Sequence, residues 1–353
     1  MGLTSRLRAD LAVHGVQVEA PVSRTGGAGP SDDGHVRIGG LRTALPVVAD
    51  SPWAIRDGRL LHAEEGDLGV EVDLVTRPRF YELTTNDGIP YHHIARLHGD
   101  DVLASTVRQT CVRYGEDERC RFCAIEASLR AGATTGVKTP RQLAEVATAA
   151  VELDGVRQVV LTTGTSPGPD RGARYLARCV AAIHEAVPQL PVQVQCEPPA
   201  DLEVLTLLRD AGTTAIGIHV ESLDDDVRLR WMPGKATVPL TDYEAAWDEA
   251  VRVFGRNHVS TYLLVGLGED PDELVAGATR LIARGVYPFV VPYRPLAGTL
   301  AVRDGHPAPD PAVVASVSER VAAALRAAGM RGADQGAGCA ACGACSTLAA
   351  AGG

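Results

Sequence analysis

The chain has 353 residues with 45% hydrophobic side chains, enough to bury the core of one large domain with appendages. Its 44 acidic residues outnumber its 34 basic ones, and the formal charge of −10 disfavours a nucleic-acid partner. No run of 18 apolar residues and no signal-peptide pattern occurs, so we expect a cytoplasmic protein without a membrane partner.

The N-terminal part, residues 1–102, is predicted to be a small and largely β domain. Residues 1–35 are rich in Gly, Pro, Ser and Asp, which indicates a flexible lead-in. His92, His93 and His98 have no cysteine or carboxylate at ligand spacing, so we interpret them as ordinary polar residues.

Residues 103–328 alternate between strand and helix patterns. Six strands are predicted at residues 103–109, 158–163, 192–197, 215–221, 259–265 and 286–292. Six helices follow at residues 139–153, 172–186, 201–211, 242–254, 271–283 and 311–328. Six β-then-α units in a row predict an α/β fold with a parallel sheet, open or closed, and chemistry at the C-terminal ends of its strands.

Six of the eight cysteines fall into two tight clusters, which indicates metal binding or catalysis more than disulfide bonds. Cys111, Cys120 and Cys123 directly follow the first predicted strand. Three thiolates can hold three irons of a [4Fe–4S] cluster and leave the fourth iron open to a cofactor or substrate. A structural zinc site is the alternative, but it would need a fourth Cys or His, and none lies nearby in sequence.

This region resembles the radical S-adenosylmethionine (radical SAM) superfamily, in its biotin synthase and lipoyl synthase branch, over about residues 105–299. An aromatic residue, Phe122, precedes the last cysteine, although eight residues separate the first two cysteines where the family has three. Thr163, Gly164 and Thr165 stand where the family's SAM-binding turn lies. The resemblance implies a partial (βα)6 TIM-type barrel, a [4Fe–4S] cluster on the first three cysteines, and SAM on the open iron.

Alternation along the third and fourth predicted strands turns Glu197 and Glu221 into the barrel, where carboxylates are rare unless they bind something. By the resemblance both contact SAM, and either Arg230 or Lys235 pairs with the SAM carboxylate. The alternative is that the two glutamates form buried pairs with Arg228, Arg230 or Lys235.

The same alternation places Gln193, Gln195 and His219 inside the barrel and turns Cys196 outward as a packed core thiol. Arg294 follows the sixth strand and is expected at the cavity rim. There it either clamps an anionic substrate or lies on the surface.

Residues 329–353 form a Gly- and Ala-rich tail with the second cysteine cluster. Cys339, Cys342 and Cys345 follow one another at three-residue spacing, which suits a second iron–sulfur cluster. Zinc with a ligand from elsewhere and a disordered tail are the alternatives. In radical SAM relatives, such auxiliary clusters donate sulfur, bind substrate or relay electrons.

The resemblance implies an enzyme that cleaves SAM reductively and uses the resulting 5′-deoxyadenosyl radical to take a hydrogen atom from a small-molecule substrate. It also implies an electron donor such as flavodoxin or ferredoxin. The whole chain looks most like the radical SAM family of bacterial nitrilase gene clusters, which implies a role in nitrile or cyanide nitrogen metabolism. Two alternatives stay open: a sulfur-inserting radical SAM enzyme that consumes an auxiliary cluster, and a non-catalytic zinc or iron–sulfur binding protein.

Overall fold

A computed structural model describes residues 4–19 and 35–352, which contain a six-stranded N-terminal sheet and a seven-stranded main sheet. The strands are β1 Gln17–Val18, β2 His35–Ile38, β3 Leu41–Ala44, β4 Trp53–Arg56, β5 Arg59–His62, β6 Gly66–Leu74, β7 Arg96–His98, β8 Val102–Thr106, β9 Gln158–Thr162, β10 Val192–Cys196, β11 Thr213–Ile218, β12 Val259–Val265 and β13 Val286–Pro292. The helices are α1 Ser5–His14, α2 Tyr91–Ile94, α3 Ala127–Arg130, α4 Pro140–Asp154, α5 Ala173–Ala186, α6 Glu203–Asp210, α7 Asp225–Trp231, α8 Pro233–Ala236, α9 Leu240–Phe254, α10 Pro271–Arg284, α11 Leu300–Arg303, α12 Pro311–Ala327 and α13 Cys339–Cys342. Every helix in the described ranges is too short or too polar to cross a membrane.

The main sheet is a curled half-barrel, as predicted. Its strand order is β13-β12-β11-β10-β9-β8-β7, and β8 to β13 are parallel neighbours in chain order. The ends of these six strands lie within three residues of the predicted ones, because each strand is bounded by clear turn signals. The C-terminal ends of all six strands therefore meet at one rim of the sheet.

The helices that cover the half-barrel begin at strong N-terminal signals. Thr139 caps α4 in a capping box with Gln142, and Pro140 occupies the first helical position. The Asp270 side chain caps α10 by accepting from the N–H groups of Asp272 and Glu273, and Pro271 occupies the first helical position. The buried faces of these helices pack on the sheet in a single large apolar core.

The N-terminal region differs from its prediction in two respects. Residues 5–14 lie in the predicted flexible lead-in but form α1, which Thr4 caps and which ends at Gly15. Residues 1–3 and 20–34 of that lead-in lie outside the described residues. Strand β7 lies in the segment predicted as a separate β domain, yet it pairs antiparallel with β8 because Gly99, at φ +60°, closes a short turn between them.

The C-terminal segment, residues 329–352, packs against the half-barrel rather than extending from it. The Gly338 N–H donates to a glutamine side chain at the start of β9, at 2.8 Å. A Cβ built on Gly99, beside β7, would lie 3.3 Å from Cys342 Sγ. The Ser346 hydroxyl donates to a carbonyl of β13. The segment thus contacts both edge strands of the sheet and fills the gap between them.

Candidate functional site

The first cysteine loop leaves the C-terminal end of β8 and contains Cys111, Cys120 and Cys123. The three thiols lie near enough for their charges to interact. Burial raises the pKa of Cys123 to about 11, and burial also raises the pKa of Cys120. The loop therefore brings together all three predicted cluster ligands in a secluded place at the rim.

The loop is clamped between the ends of β9 and β11. Backbone hydrogen bonds run from Val112 to Thr165 (2.9 Å), from Arg121 to Trp231 (2.7 Å) and from Gly234 to Glu118 (2.9 Å). A Cβ on Gly164 would lie 2.1 Å from the carbonyl oxygen of Thr110, and one on Gly234 would lie 2.6 Å from that of Glu118. Because real side chains do not approach backbone so closely, both glycines are required for this packing.

The donor chemistry of the loop fits a cluster better than one metal ion. Within the part of the chain that the structure describes, no three His, Cys, Asp or Glu side chains lie close enough to share a single ion. One tetrahedral zinc would bring its sulfurs to about 3.8 Å from each other, from a zinc–sulfur bond of about 2.3 Å. In a [4Fe–4S] cluster each thiolate binds a separate iron, so the three sulfurs do not have to converge on one point.

Glu197, at the end of β10, has only 2% of its side chain exposed and is fully paired. Arg113 donates to both of its carboxylate oxygens, at 3.1 and 2.8 Å. Arg171 donates at 3.1 Å and the Thr165 hydroxyl at 2.7 Å. These partners differ from the basic residues after β11 that the sequence offered, because the long spacing between the first two cysteines carries Arg113 over the carboxylate. Glu197 therefore fastens the cysteine loop to the barrel.

Glu221 pairs with Lys235 at 2.5 Å, one of the pairings that the sequence offered. The Lys235 ammonium also donates to the carbonyl of His219, at 2.8 Å, and its charge reaches Cys120. The backbone of Glu221 has φ +64°, which is rare for a residue with a side chain and occurs mainly where surrounding structure imposes it. Arg230 is exposed instead and donates to a loop carbonyl after β12, at 3.1 Å.

The remaining predicted SAM contacts lie around the same loop. Phe122 faces Trp231, with ring centroids 6.4 Å apart. The Thr163 hydroxyl bonds to the carbonyl of Gly164 at 2.9 Å. All the residues that the sequence assigned to SAM are therefore on the rim segments that follow β8, β9, β10 and β11.

Inside the half-barrel lies a cavity of about 280 Å³. Its polar lining includes His35, His92, His93, Arg96, His98, Gln109, Lys138, Gln195, Tyr262 and the thiols of Cys339, Cys342 and Cys345. Sequence reasoning missed that His92, His93 and His98 line this wall, because they come from α2 and β7, which precede the first parallel strand. Gln195 faces inward as predicted, whereas Cys196 is packed in the core, where burial raises its pKa to about 12.

The second cysteine cluster forms one end of that cavity. The Gln195 amide donates to Cys339 Sγ at 3.1 Å, and the Tyr262 hydroxyl also bonds to this thiol. Burial raises the pKa of Cys339 to about 11 and that of Cys342 to about 12. The tail cysteines are therefore held inside the barrel rather than in a loose tail.

Two arginines beside these thiols have no carboxylate partner among residues 4–19 and 35–352. Arg8, only 1% exposed, donates to the carbonyls of Arg42 and Gly343, at 2.7 and 2.6 Å. Arg294, predicted at the rim, lies beside Cys345 and reaches its carbonyl at 3.5 Å. Burial lowers the pKa of Arg8 to about 10, while Cys345 and Cys342 act in the opposite direction. A buried cation without an anion is costly, so these thiols would supply the counter-charge once they are ionised.

A pair of stacked rings extends from the tail cysteines to His219, whose carbonyl accepts from Lys235. The ring of His219 lies 4.2 Å from that of Tyr262, which bonds to Cys339. Burial lowers the pKa of His219 to about 3, so the imidazole is neutral at pH 7. The predicted inward position of His219 therefore serves packing between the two sites.

The comparisons with known proteins agree with this geometry. The family model of the Radical SAM superfamily matches residues 114–281. A bacteriochlorophyllide c C-7(1)-hydroxylase of Chlorobaculum limnaeum is 25% identical over 240 residues, which are 63% of this chain and 59% of the relative. A lipoyl synthase of Ectopseudomonas mendocina is 24% identical over 272 residues, 70% of this chain and 71% of the relative.

Among solved structures, methylornithine synthase resembles this chain with a TM-score of 0.51 and 15% sequence identity. The likeness covers 77% of this chain and 78% of that one. At this identity it shows the shared fold, a partial barrel of the same kind.

Proposed function

We propose, from the premise that the chain is an enzyme of the radical SAM superfamily, that Cys111, Cys120 and Cys123 hold a [4Fe–4S] cluster whose fourth iron binds SAM. The observation that carries this proposal is the clamped loop, which gathers three partly buried thiols at the rim of the half-barrel. When bound, the cluster and SAM supply the reductive cleavage that yields methionine and the 5′-deoxyadenosyl radical.

The chain's own residues prepare this place. The three thiols supply the ligands, and Glu197 keeps their loop closed through Arg113. The Glu221–Lys235 pair presents one negative and one positive group next to Cys120, suited to the ammonium and carboxylate of an amino acid. The further SAM contacts we propose are Phe122, Thr163, Gly164, Thr165 and Arg230.

Cys339, Cys342 and Cys345 are proposed to hold a second iron–sulfur cluster. The support is the pair of buried arginines beside them, their position on the cavity wall, and the similarity to lipoyl synthase. The substrate would lie in the cavity between the two sites and lose its hydrogen atom there. An external donor such as flavodoxin or ferredoxin would reduce the first cluster.

The sequence resemblance alone carries a finer proposal, a small-molecule role in nitrile or cyanide nitrogen metabolism. A second candidate function is sulfur insertion with loss of the tail cluster, favoured by the thiols that line the cavity. It predicts a sulfur-containing product and the loss of one cluster per turnover. A tail cluster that survives many turnovers would exclude it.

Metal analysis tests the division between the two sites. Anaerobically reconstituted wild type should contain iron and sulfide for two clusters and no stoichiometric zinc. Cys120→Ala and Cys342→Ala should each lose the iron and sulfide of one cluster. Cys196→Ala changes a core residue and should keep the iron and sulfide of both clusters. Stoichiometric zinc at the first site would refute the proposal.

A further inference from the structure

The chain uses lysine at only two positions. Of its 34 basic residues 32 are arginine, and the two lysines are Lys138 and Lys235. Both are inside the half-barrel: Lys138 is 1% exposed and the side chain of Lys235 is 14% exposed. Because arginine serves at every other cationic position, a compact ammonium at these two buried places points to a specific chemical need.

The two lysines differ in how their charges are matched. Lys235 pairs with Glu221. Lys138 donates to the side-chain oxygen of Gln109 at 2.9 Å and to the carbonyl of Thr135 at 2.8 Å, and no carboxylate in the described ranges pairs with it. Two neutral acceptors do not compensate a buried positive charge. They also bond to only two of the three N–H groups of the ammonium.

The surroundings of Lys138 fix its position. Its N–H donates to the carbonyl of Val107 at 2.9 Å, and its own carbonyl accepts from the Tyr175 hydroxyl at 2.8 Å. Thr139, the next residue, caps α4. The ammonium is therefore a fixed point on the cavity wall, not the end of a mobile surface chain.

The cavity that Lys138 lines is basic in an acidic protein. Arg96 and four histidines share its wall, and no described Asp or Glu does, although the whole chain carries a formal charge of −10. Burial lowers the pKa of Lys138 to about 7, and the charge of Lys138 in turn acts on His93. An anion in the cavity would restore the balance and make the charged lysine favourable.

We propose that Lys138 binds the carboxylate of a small organic acid, which is the substrate of this enzyme. The inference rests on the proposed function, since that function places the substrate in the same cavity. A volume of about 280 Å³ is at the small end of ligand pockets and suits an acid of amino-acid size. One ammonium N–H gives a single contact to one carboxylate oxygen, which a bulkier and forked guanidinium would not reproduce.

The test uses protein labelled with ¹³C at the lysine ε-carbon, reconstituted with iron and sulfide and mixed with SAM. The spectrum should contain two lysine signals, and Lys138→Met should remove one of them. Butyrate should shift the Lys138 signal saturably, the neutral isostere butyramide should not, and neither should move Lys235. Lys138→Met should weaken butyrate binding at least tenfold in calorimetry, and Lys138→Arg should restore less than the wild-type affinity.

A Lys138 signal that butyrate leaves in place would overturn the assignment, and so would a shift given by inorganic phosphate but not by butyrate. Iron content and 5′-deoxyadenosine release from the same wild-type sample report on the first cluster alone. Failure of those two readouts with an intact butyrate response would refute the proposed function and leave the anion site standing. The reverse pattern would refute the anion site only.

Discussion

The rim site and the tail site of the half-barrel differ in how the charges around them are paired. At the rim, Glu197 is matched by two arginines and Glu221 by Lys235. At the tail, Arg8 and Arg294 have no carboxylate partner in the described ranges and lie beside thiols instead. Both rim carboxylates thus have cationic partners before anything binds, whereas the tail arginines can be matched only by negative sulfurs.

This difference shows how one barrel can separate two tasks. If the rim binds SAM as proposed, its two carboxylates are already paired when SAM arrives. A tail site built on buried cations favours an anionic metal–thiolate centre that stays in place. Four measurements test this difference between the rim and the tail.

The largest effect is expected at the rim thiols. Cys120→Ala removes one of the three proposed cluster ligands, so reductive 5′-deoxyadenosine release should fall at least 10³-fold. Cys342→Ala changes only the tail site, so release in the absence of substrate should remain within about threefold of wild type. Both are measured anaerobically with dithionite and SAM. An equal loss of 5′-deoxyadenosine release in the two variants would contradict the division of tasks between the rim and the tail.

The second-largest effect is expected at Glu197, the carboxylate that fastens the cysteine loop to the barrel. Glu197→Gln leaves Arg113 and Arg171 without their anion, which should lower the free energy of unfolding by about 3–5 kcal/mol. Chemical denaturation of the metal-free protein measures it. The exposed Glu152→Gln in α4 is the matched control and should change stability by less than about 0.5 kcal/mol. An equal response of both variants would mean that the rim charges are not coupled.

The tail site should respond to its buried cation. Arg8→Met removes positive charge beside Cys342 and Cys345, so the tail cluster should lose its iron to a chelator about 10–100 times more readily. Arg6→Met, on the exposed face of α1, is the control. Unchanged retention of iron in Arg8→Met would show that this arginine does not stabilise the metal centre.

The fourth measurement concerns the pH dependence of stability. The pKa of Lys138 is lowered by burial from 10.5 to about 7, so between these values the unfolded chain binds the proton that the folded chain lacks. The contribution of Lys138 to stability must therefore rise with pH over this window, by up to about 1.4 kcal/mol per pH unit. Lys138→Met should remove this slope. Its free energy of unfolding should exceed that of the wild type by most at pH 7 and below. Denaturation curves at pH 6, 8 and 10 measure it, and parallel profiles would contradict the buried, unpaired charge.

The sequence predicted the half-barrel well because its strands and helices carry strong local signals. The predicted boundaries of β12 and β13 are those of the structure, and Thr139-Pro140 and Asp270-Pro271 start helices as capping chemistry requires. The helix α1 was missed because its apolar residues do not form a clear stripe and its neighbours are rich in Gly and Pro.

The sequence identified candidate-site residues that lie close together in the chain. It did not predict the contacts between residues that are far apart in sequence. The spacing of the cysteines predicted both cysteine clusters, and strand alternation predicted that Glu197 and Glu221 face inward. The pairing of Glu197 with Arg113 depends on the path of a long loop, and the hydrogen bond from Arg8 to the carbonyl of Gly343, beside the tail thiols, joins residues more than 300 positions apart. One usable signal was available in the sequence, the scarcity of lysine, and it points to Lys138.

The central claim is that the three rim thiols leave one iron open to SAM. The most direct measurement is electron–nuclear double resonance on the reduced Cys339→Ala, Cys342→Ala, Cys345→Ala triple variant, mixed with SAM labelled with ¹⁵N in its amino group and ¹⁷O in its carboxylate. We expect both labels to show hyperfine coupling to the single remaining cluster. An intact, reduced cluster without either coupling would contradict the account.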